Sequence, residues 1–166
     1  MNFEFLRIYL PVRQNKSTMT INIINKTAYH PPAKKIFQNL LQKTYRIAVR
    51  RVPAFGEINL IFLSRQKMKA INARFAGANY AANVLAFDYT KKPAKLSLAK
   101  IWLDEPRVEI LICPQIAKSE ALQMSISITE RIKLLFTHGL LHFLGYQHNT
   151  EKNKAEMEKL EDVIIL

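Results

Sequence analysis

The sequence predicts a single α+β domain, a mixed α/β arrangement in which about four strands form a small mixed sheet packed by helices. The length of 166 residues suits one domain with its own core. Segments with alternating apolar residues are interleaved with segments of helical spacing. Residues 83–89 and 108–113 both predict strands and have no helical pattern between them, which favours a mixed sheet over a purely parallel one.

Four segments predict the strands. Residues 19–25 (MTINIIN) alternate between apolar and polar positions, as expected for a half-buried strand. Residues 57–63 (EINLIFL) and 83–89 (NVLAFDY) have the same character, and residues 108–113 (VEILIC) are mostly apolar. Their lengths are typical of strands in small domains.

The first helices are predicted by periodicity and by capping residues. Residues 32–50 carry an apolar stripe at helical spacing. Ser64 is a suitable N-cap for the next helix, SRQKMKAINARFA, which Gly77 is expected to end. Pro114 opens a short helix after the fourth strand, because proline is tolerated in the first turn.

Two further helices are predicted near the end of the chain. Residues 128–144 form a strongly apolar helix, expected to be buried and to end at Gly145. Residues 150–164 form an amphipathic helix with Thr150 as its N-cap. The regular pattern begins at Met19, so residues 1–18 are treated as an N-terminal extension and residues 19–166 as the domain. The lysine-rich residues 91–100 are expected to be a loop.

Composition restricts the location of the protein. The single cysteine, Cys113, allows no disulfide within the chain, which suits a reducing compartment. It lies in an apolar run and is expected to be buried. No apolar stretch is long enough to cross a bilayer, and residues 1–18 make a poor signal peptide. We therefore expect a cytoplasmic protein without a membrane partner.

The net charge of +12 indicates a polyanionic partner. Nucleic acid is the first candidate, because each neutralised phosphate releases counterions. The other interpretation is that the lysines serve solubility or reflect a genome that favours lysine.

Three of the four histidines lie in HGLLHFLGYQH, residues 138–148. His138 and His142 are four residues apart, so on a helix they share a face and can direct their Nε2 atoms at one ion. Gly145 can adopt the left-handed conformation, and the turn lets His148 supply a third ligand. Three neutral imidazoles suit zinc with an open fourth position, which predicts one zinc ion per chain. The alternative is three separate, hydrogen-bonded histidines.

The same spacing occurs in metzincin proteases, whose motif is HExxHxxGxxH. The glutamate of that motif is the general base, and Gly139 occupies its position here. A peptidase built on this helix would lack its base. A phosphodiester is the better target, because zinc can lower the pKa of a bound water towards ~7 and stabilise charge on phosphoryl oxygens.

This stretch closely resembles the HGxLHLxGYDH signature of the bacterial YbeY family, and the resemblance extends through most of residues 19–164. INARFAG (71–77) and ANVLAF (82–87) are similar to the family's LNxxYRG and TDVLSF. VEILIC (108–113) is similar to GDIVIC, and EMEKLE (156–161) to EMExLE. The family consists of metal-dependent endoribonucleases that act in ribosomal RNA maturation and ribosome quality control.

The resemblance implies a zinc-dependent single-strand endoribonuclease, with ribosomal RNA and the small ribosomal subunit as partners. It implies that His138, His142 and His148 are the zinc ligands. Glu109 replaces the aspartate of the family's Gly-Asp pair and keeps a carboxylate, which we expect to orient a water in catalysis.

Three departures from the family pattern bear on activity. Ala76 stands where the family has an arginine regarded as functionally important. Gln147 replaces an aspartate beside the third histidine, and Ala86 replaces a serine. The alternative function is therefore a catalytically weakened or inactive module that binds RNA or the ribosome and is braced by zinc. A metallohydrolase with another substrate is a third possibility.

The helix before Gly77 carries four basic residues and no acid, so it is a candidate for phosphate contacts. Its basic residues are Arg65, Lys67, Lys69 and Arg74. The other interpretation is a solvated helix face. Arg74 is a poor substitute for an arginine at Ala76, because positions two apart on a helix do not share a face.

Overall fold

Four strands form one mixed sheet in the computed structural model, which describes residues 19–48, 57–88 and 107–166. The strands are β1 (Thr20–Asn25), β2 (Glu57–Phe62), β3 (Val84–Asp88) and β4 (Arg107–Ile112). They lie in the order β1-β2-β4-β3. The pairs β1–β2 and β2–β4 are parallel, and β3 runs antiparallel to β4. The predicted α+β fold with a mixed four-stranded sheet is confirmed.

Five helices accompany the sheet within the described residues, each in a segment where the sequence predicted one. They are α1 (Lys34–Ala48), α2 (Arg65–Ala76), α3 (Pro114–Gln123), α4 (Ile128–Phe143) and α5 (Glu151–Ile165). The predicted extension at residues 1–18 and the predicted loop at residues 91–100 lie outside the described residues. Within the described part of the chain, none of the helices combines the length and hydropathy that a membrane span requires.

Capping residues set the helix ends. Ser64 and Thr150 are N-caps whose hydroxyls accept a hydrogen bond from the backbone three residues on, as predicted. Gly77 ends α2 in the left-handed conformation, with φ of +68°. At α4, Ser127 and Glu130 form a reciprocal capping box. The start of the helix that carries the histidines is therefore fixed by residues next to it in the sequence.

Helix α4 lies at the centre of the main core. It packs against α1, α3 and α5 and against strands β3 and β4. Phe136 meets Phe37 of α1 edge to face, with ring centroids 5.1 Å apart. Ile132 and Leu141 are fully buried, so the apolar run that predicted a buried helix is explained by contacts on several sides.

Helix α2 covers the opposite face of the sheet. Its Met68 packs in a second apolar cluster with Leu111 and Cys113. Phe75 meets Phe87 of β3 at a centroid distance of 5.4 Å. Cys113 is fully buried, as predicted. The side chains of β4 are divided between the two clusters, because alternate residues of a strand point to opposite faces.

Helix α4 lies close against the sheet at Gly139. A Cβ placed on this glycine would lie 3.2 Å from two side-chain atoms of Ile110 in β4. Ile110 is fully buried. The absence of a side chain at position 139 therefore lets the helix lie against the strand.

We predict that Gly139→Val lowers the free energy of unfolding by about 1–3 kcal/mol, the usual cost of overpacking a core. Gly139→Ala should change it less, because a gain in helix propensity of up to about 1 kcal/mol opposes the tight contact. Denaturant unfolding of the metal-free protein measures the free energy of unfolding of both variants. The control is Ile110→Val, which removes one of the contacting atoms. An equal effect of Gly139→Val in both backgrounds would show that Cδ1 of Ile110 is not the limiting contact.

Candidate metal centre

The three histidines of residues 138–148 lie together, as predicted. His138 and His142 project from one face of α4, and their Nε2 atoms are 3.0 Å apart. His148 follows the turn after the helix, and one ligand nitrogen from each histidine lies within 4.8 Å of the other two. The group is close enough to hold a metal ion.

The turn that returns His148 to the helix depends on Gly145. This glycine has φ of +88°, in the left-handed region. Its N–H donates to His142 O at 3.1 Å, and the N–H of Tyr146 donates to Leu141 O at 3.0 Å. These two bonds form a Schellman motif, which ends the helix and reverses the chain. The His148 ring centroid is consequently 5.1 Å from that of His142.

Hydrogen bonds on the far side of two rings orient them. His138 Nδ1 lies 2.7 Å from Glu161 Oε1, and His142 Nδ1 lies 3.1 Å from Tyr146 O. A carboxylate and a carbonyl can only accept, so in both rings Nδ1 carries the proton. The lone pair of each Nε2 is therefore free to bind a metal ion.

The donor set fits a divalent cation of the zinc type. Two nitrogens bound to a tetrahedral zinc at ~2.0–2.1 Å would be separated by about 3.3 Å, close to the observed Nε2–Nε2 distance. Burial, and secondly the neighbouring His138, lower the pKa of His142. The neutral imidazole that a metal requires is therefore favoured. Two neutral Nε2 acceptors this close also need a shared cation or proton between them.

Glu161 was not identified as a site residue from the sequence. It lies on α5, four residues after Met157 and three before Ile164, both of which are buried. Its side chain is 16% exposed. A carboxylate on the inner face of an amphipathic helix is a sequence signal that could have identified it, because such a group needs a partner.

The histidines open onto a cleft of about 650 Å³. Its walls are Asn72 of α2, residues 80–86 of the following loop and β3, and Ile116 and Glu120 of α3. His138, Gly139, His142 and His148 form the remaining side. The volume is in the range of sites that take small ligands or one segment of a larger one.

A polar network ties the wall of the cleft together. Asn83 Nδ2 donates to Glu120 Oε1 at 2.9 Å. Arg131 Nε donates to the other oxygen, Oε2, at 2.8 Å. Glu120 thereby joins α3 to α4 and to the segment that leads into β3. Sequence reasoning did not identify Glu120, because its two partners are far from it along the chain.

Glu109 lies on the face of β4 that is turned away from the histidine helix. Ile110 points towards α4, so its neighbour Glu109 points to the opposite face of β4. Glu109 pairs across the strands with Asn59 and with Phe87, which packs on the α2 side. It does not line the cleft of the histidines. Its expected role in orienting a catalytic water remains a prediction.

The basic residues of α2 have a common environment: all are exposed. They are Arg65, Lys67, Lys69 and Arg74. None of them lines the cleft, although Asn72 of the same helix does. Arg74 lies with its Cζ 5.4 Å from the centroid of the Phe75 ring. Their role in phosphate binding remains a prediction.

Comparison with known proteins places the chain in one family. Residues 15–166 match the family described as Endoribonuclease YbeY. An endoribonuclease YbeY of Francisella philomiragia is 30% identical over 148 residues, covering 87% of each chain. One from Bdellovibrio bacteriovorus is 30% identical over 149 residues, covering 87% of this chain and 91% of that protein.

A solved structure supports the fold. The solution structure of a Thermotoga maritima protein matches with a TM-score of 0.52 and covers 88% of this chain and 87% of that one. The two sequences are 24% identical. The similarity supports the arrangement of helices and strands.

We predict that Glu161→Ala weakens the binding of a divalent metal by about 10–100-fold, the usual effect of removing the partner of a ligating histidine. Glu161→Gln keeps a carbonyl acceptor and should therefore lose less affinity for the metal. Competition between the protein and a chromophoric chelator for Zn²⁺ measures the affinity. Glu158→Ala, on the exposed side of α5, is the matched control. Equal affinities for Glu161→Ala and Glu158→Ala would exclude this role.

Proposed function

The chain belongs to the YbeY endoribonuclease family, and from this membership we propose that it is a zinc-dependent endoribonuclease that cleaves single-stranded RNA. The observation that carries the proposal is the cluster of His138, His142 and His148 in the wall of a cleft. We further propose ribosomal RNA as the substrate, in its maturation and in ribosome quality control. The small ribosomal subunit would be the site of action and the cytoplasm the location.

The proposed chemistry divides between the ion and the chain. Zinc held by the three histidines would supply Lewis-acid stabilisation of a phosphoryl oxygen and activation of water. The backbone carbonyl of Tyr146 and the carboxylate of Glu161 hold two of the ligand rings in the orientation this requires. The cleft wall that would face the substrate is braced through Glu120.

The environment of Gly139 supports a phosphodiester rather than a peptide as the target. A peptidase of this motif needs a glutamate at that position as its general base. Ile110 lies within 3.2 Å of where even a Cβ would be placed. The chain therefore lacks both the carboxylate and the space for it. Stabilisation of charge on phosphoryl oxygens by a metal ion is effective without that carboxylate.

Charge supports an RNA substrate. The net charge is +12, and the four basic residues of α2 are exposed on the helix that reaches the cleft at Asn72. Such a surface attracts a polyanionic strand and contacts its phosphates without reading its sequence. We propose that α2 guides the strand towards the histidines.

The alternative, a weakened or inactive module that binds RNA, is favoured by one observation. Ala76 is four residues after Asn72, so it shares the face of α2 that borders the cleft. The family pattern places an arginine there, and this chain has only a methyl group. Arg74 does not replace it, because it lies two residues away on another face beside Phe75.

We predict metal-dependent cleavage of a single-stranded ribosomal RNA fragment by the purified protein. Cleavage should stop when zinc is removed by a chelator and return when zinc is restored. His142→Ala should reduce cleavage to background, because the site loses one of its three ligands. Gel electrophoresis of a labelled fragment measures the rate.

The control for that assay is His30→Ala, which removes an exposed histidine outside the cluster. It should leave cleavage unchanged. Binding of RNA by the wild-type protein without metal-dependent cleavage would reject the nuclease and support the binding module. The absence of both binding and cleavage would reject RNA as the ligand.

We predict that Ala76→Arg raises the cleavage rate by about tenfold. One charge-assisted hydrogen bond to phosphate contributes about 1.5 kcal/mol, which is roughly a tenfold effect if it is made in the transition state. The matched control is Ala70→Arg, which adds the same charge at an exposed position on another face of α2. A similar gain from both variants would indicate general electrostatic attraction rather than a contact in the cleft.

A further inference from the structure

We propose that Tyr80 is a stacking platform for a nucleobase in the cleft that the histidines also line. The inference rests on the proposed action on RNA and specifies how the strand is held. Tyr80 lines the same cleft as His138, His142 and His148. A base on Tyr80 would position a nearby phosphodiester at the histidines.

The exposure of Tyr80 distinguishes it from the other aromatic residues of the described chain. Six large apolar side chains are exposed among the described residues, and Tyr80 is the one aromatic side chain in that group. It is 65% exposed, and the other five do not line the cleft. An apolar ring left open beside a site is a binding surface for a flat apolar partner.

The backbone under the ring is held in place. Asn72 is buried, and its Nδ2 donates to Tyr80 O at 2.9 Å. The carbonyl of Asn72 accepts from the N–H of Gly77, whose left-handed conformation ends the helix. One asparagine thus ties both the start and the middle of the loop to α2. A ring on a fixed backbone loses less conformational entropy when it binds a ligand.

The neighbouring residues leave room for a base. Ala81 and Ala82 follow Tyr80 and also line the cleft, and both have small side chains. A base stacked on the exposed tyrosine ring would meet only small side chains at these two positions. Stacking on an aromatic ring tolerates any base, since every base has a π-face. This suits an enzyme that selects single-stranded RNA, because paired bases are not available for stacking on a protein side chain.

The test uses an eight-nucleotide 2′-O-methyl RNA that contains one 2-aminopurine, titrated with the zinc-loaded full-length protein. Tyr80→Ala and Tyr80→Leu should each raise the Kd by about tenfold, within the range for one base stacked on one aromatic ring. Tyr80→Phe should keep the Kd within about twofold, because the stacking face is retained. The emission of 2-aminopurine should fall on binding to the wild type and to Tyr80→Phe, and should fall less with Tyr80→Leu. Electrophoresis after each titration verifies that the probe is intact.

The control is Leu122→Ala, which removes another exposed side chain outside the cleft and should not change the Kd. Binding by the wild type that is unaltered in Tyr80→Ala and Tyr80→Leu would overturn the stacking site while leaving the RNA assignment in place. An equal Kd for Tyr80→Leu and Tyr80→Phe would indicate apolar contact without stacking, and would also overturn the stacking site. Failure of the wild type to bind any oligonucleotide would overturn both proposals. Circular dichroism of each variant verifies the fold.

Discussion

The close approach of α4 to β4 is the contact on which the rest of the molecule depends. Gly139 presents no side chain to Ile110, so the helix lies directly against the strand. This contact sets how near the histidine face of α4 comes to β3 and to the loop before it. The same helix packs against α3 and β3, which also line the cleft, so its position affects both of these walls. Gly139 therefore affects both the packing of the core and the position of the histidines.

The candidate metal centre combines local and remote contributions. The Schellman turn at Gly145 is encoded within a few residues, and it both returns His148 and places the Tyr146 carbonyl behind His142. The carboxylate behind His138 comes from Glu161, which is 23 residues away on α5. Docking of the last helix is thus linked to the orientation of a ligand ring. Metal binding and the stability of the α4–α5 pair should depend on each other, because a ligand bound only by the folded state stabilises that state.

The cleft suggests how a strand of RNA would be bound with few specific contacts. Electrostatic attraction from the exposed basic residues of α2 is long in range and independent of sequence. Stacking on Tyr80 would add a local contact that also tolerates any base. Ala76, four residues after Asn72 on α2, offers no cation to such a strand.

By itself, the sequence determined the elements of the fold, the helix caps and the three clustered histidines, because each depends on residues that are near one another along the chain. A spacing of four on a helix and one glycine turn are enough to bring His138, His142 and His148 together. Glu109 shows the limit of such reasoning. The alternation of side chains along a strand places Glu109 and Ile110 on opposite faces of β4. Only the packing of α4 on one face and α2 on the other decides which of these residues lies on the side of the histidines. Glu161 and Glu120 became part of the site in the same way, since their partners are distant in sequence and are brought to them by tertiary packing.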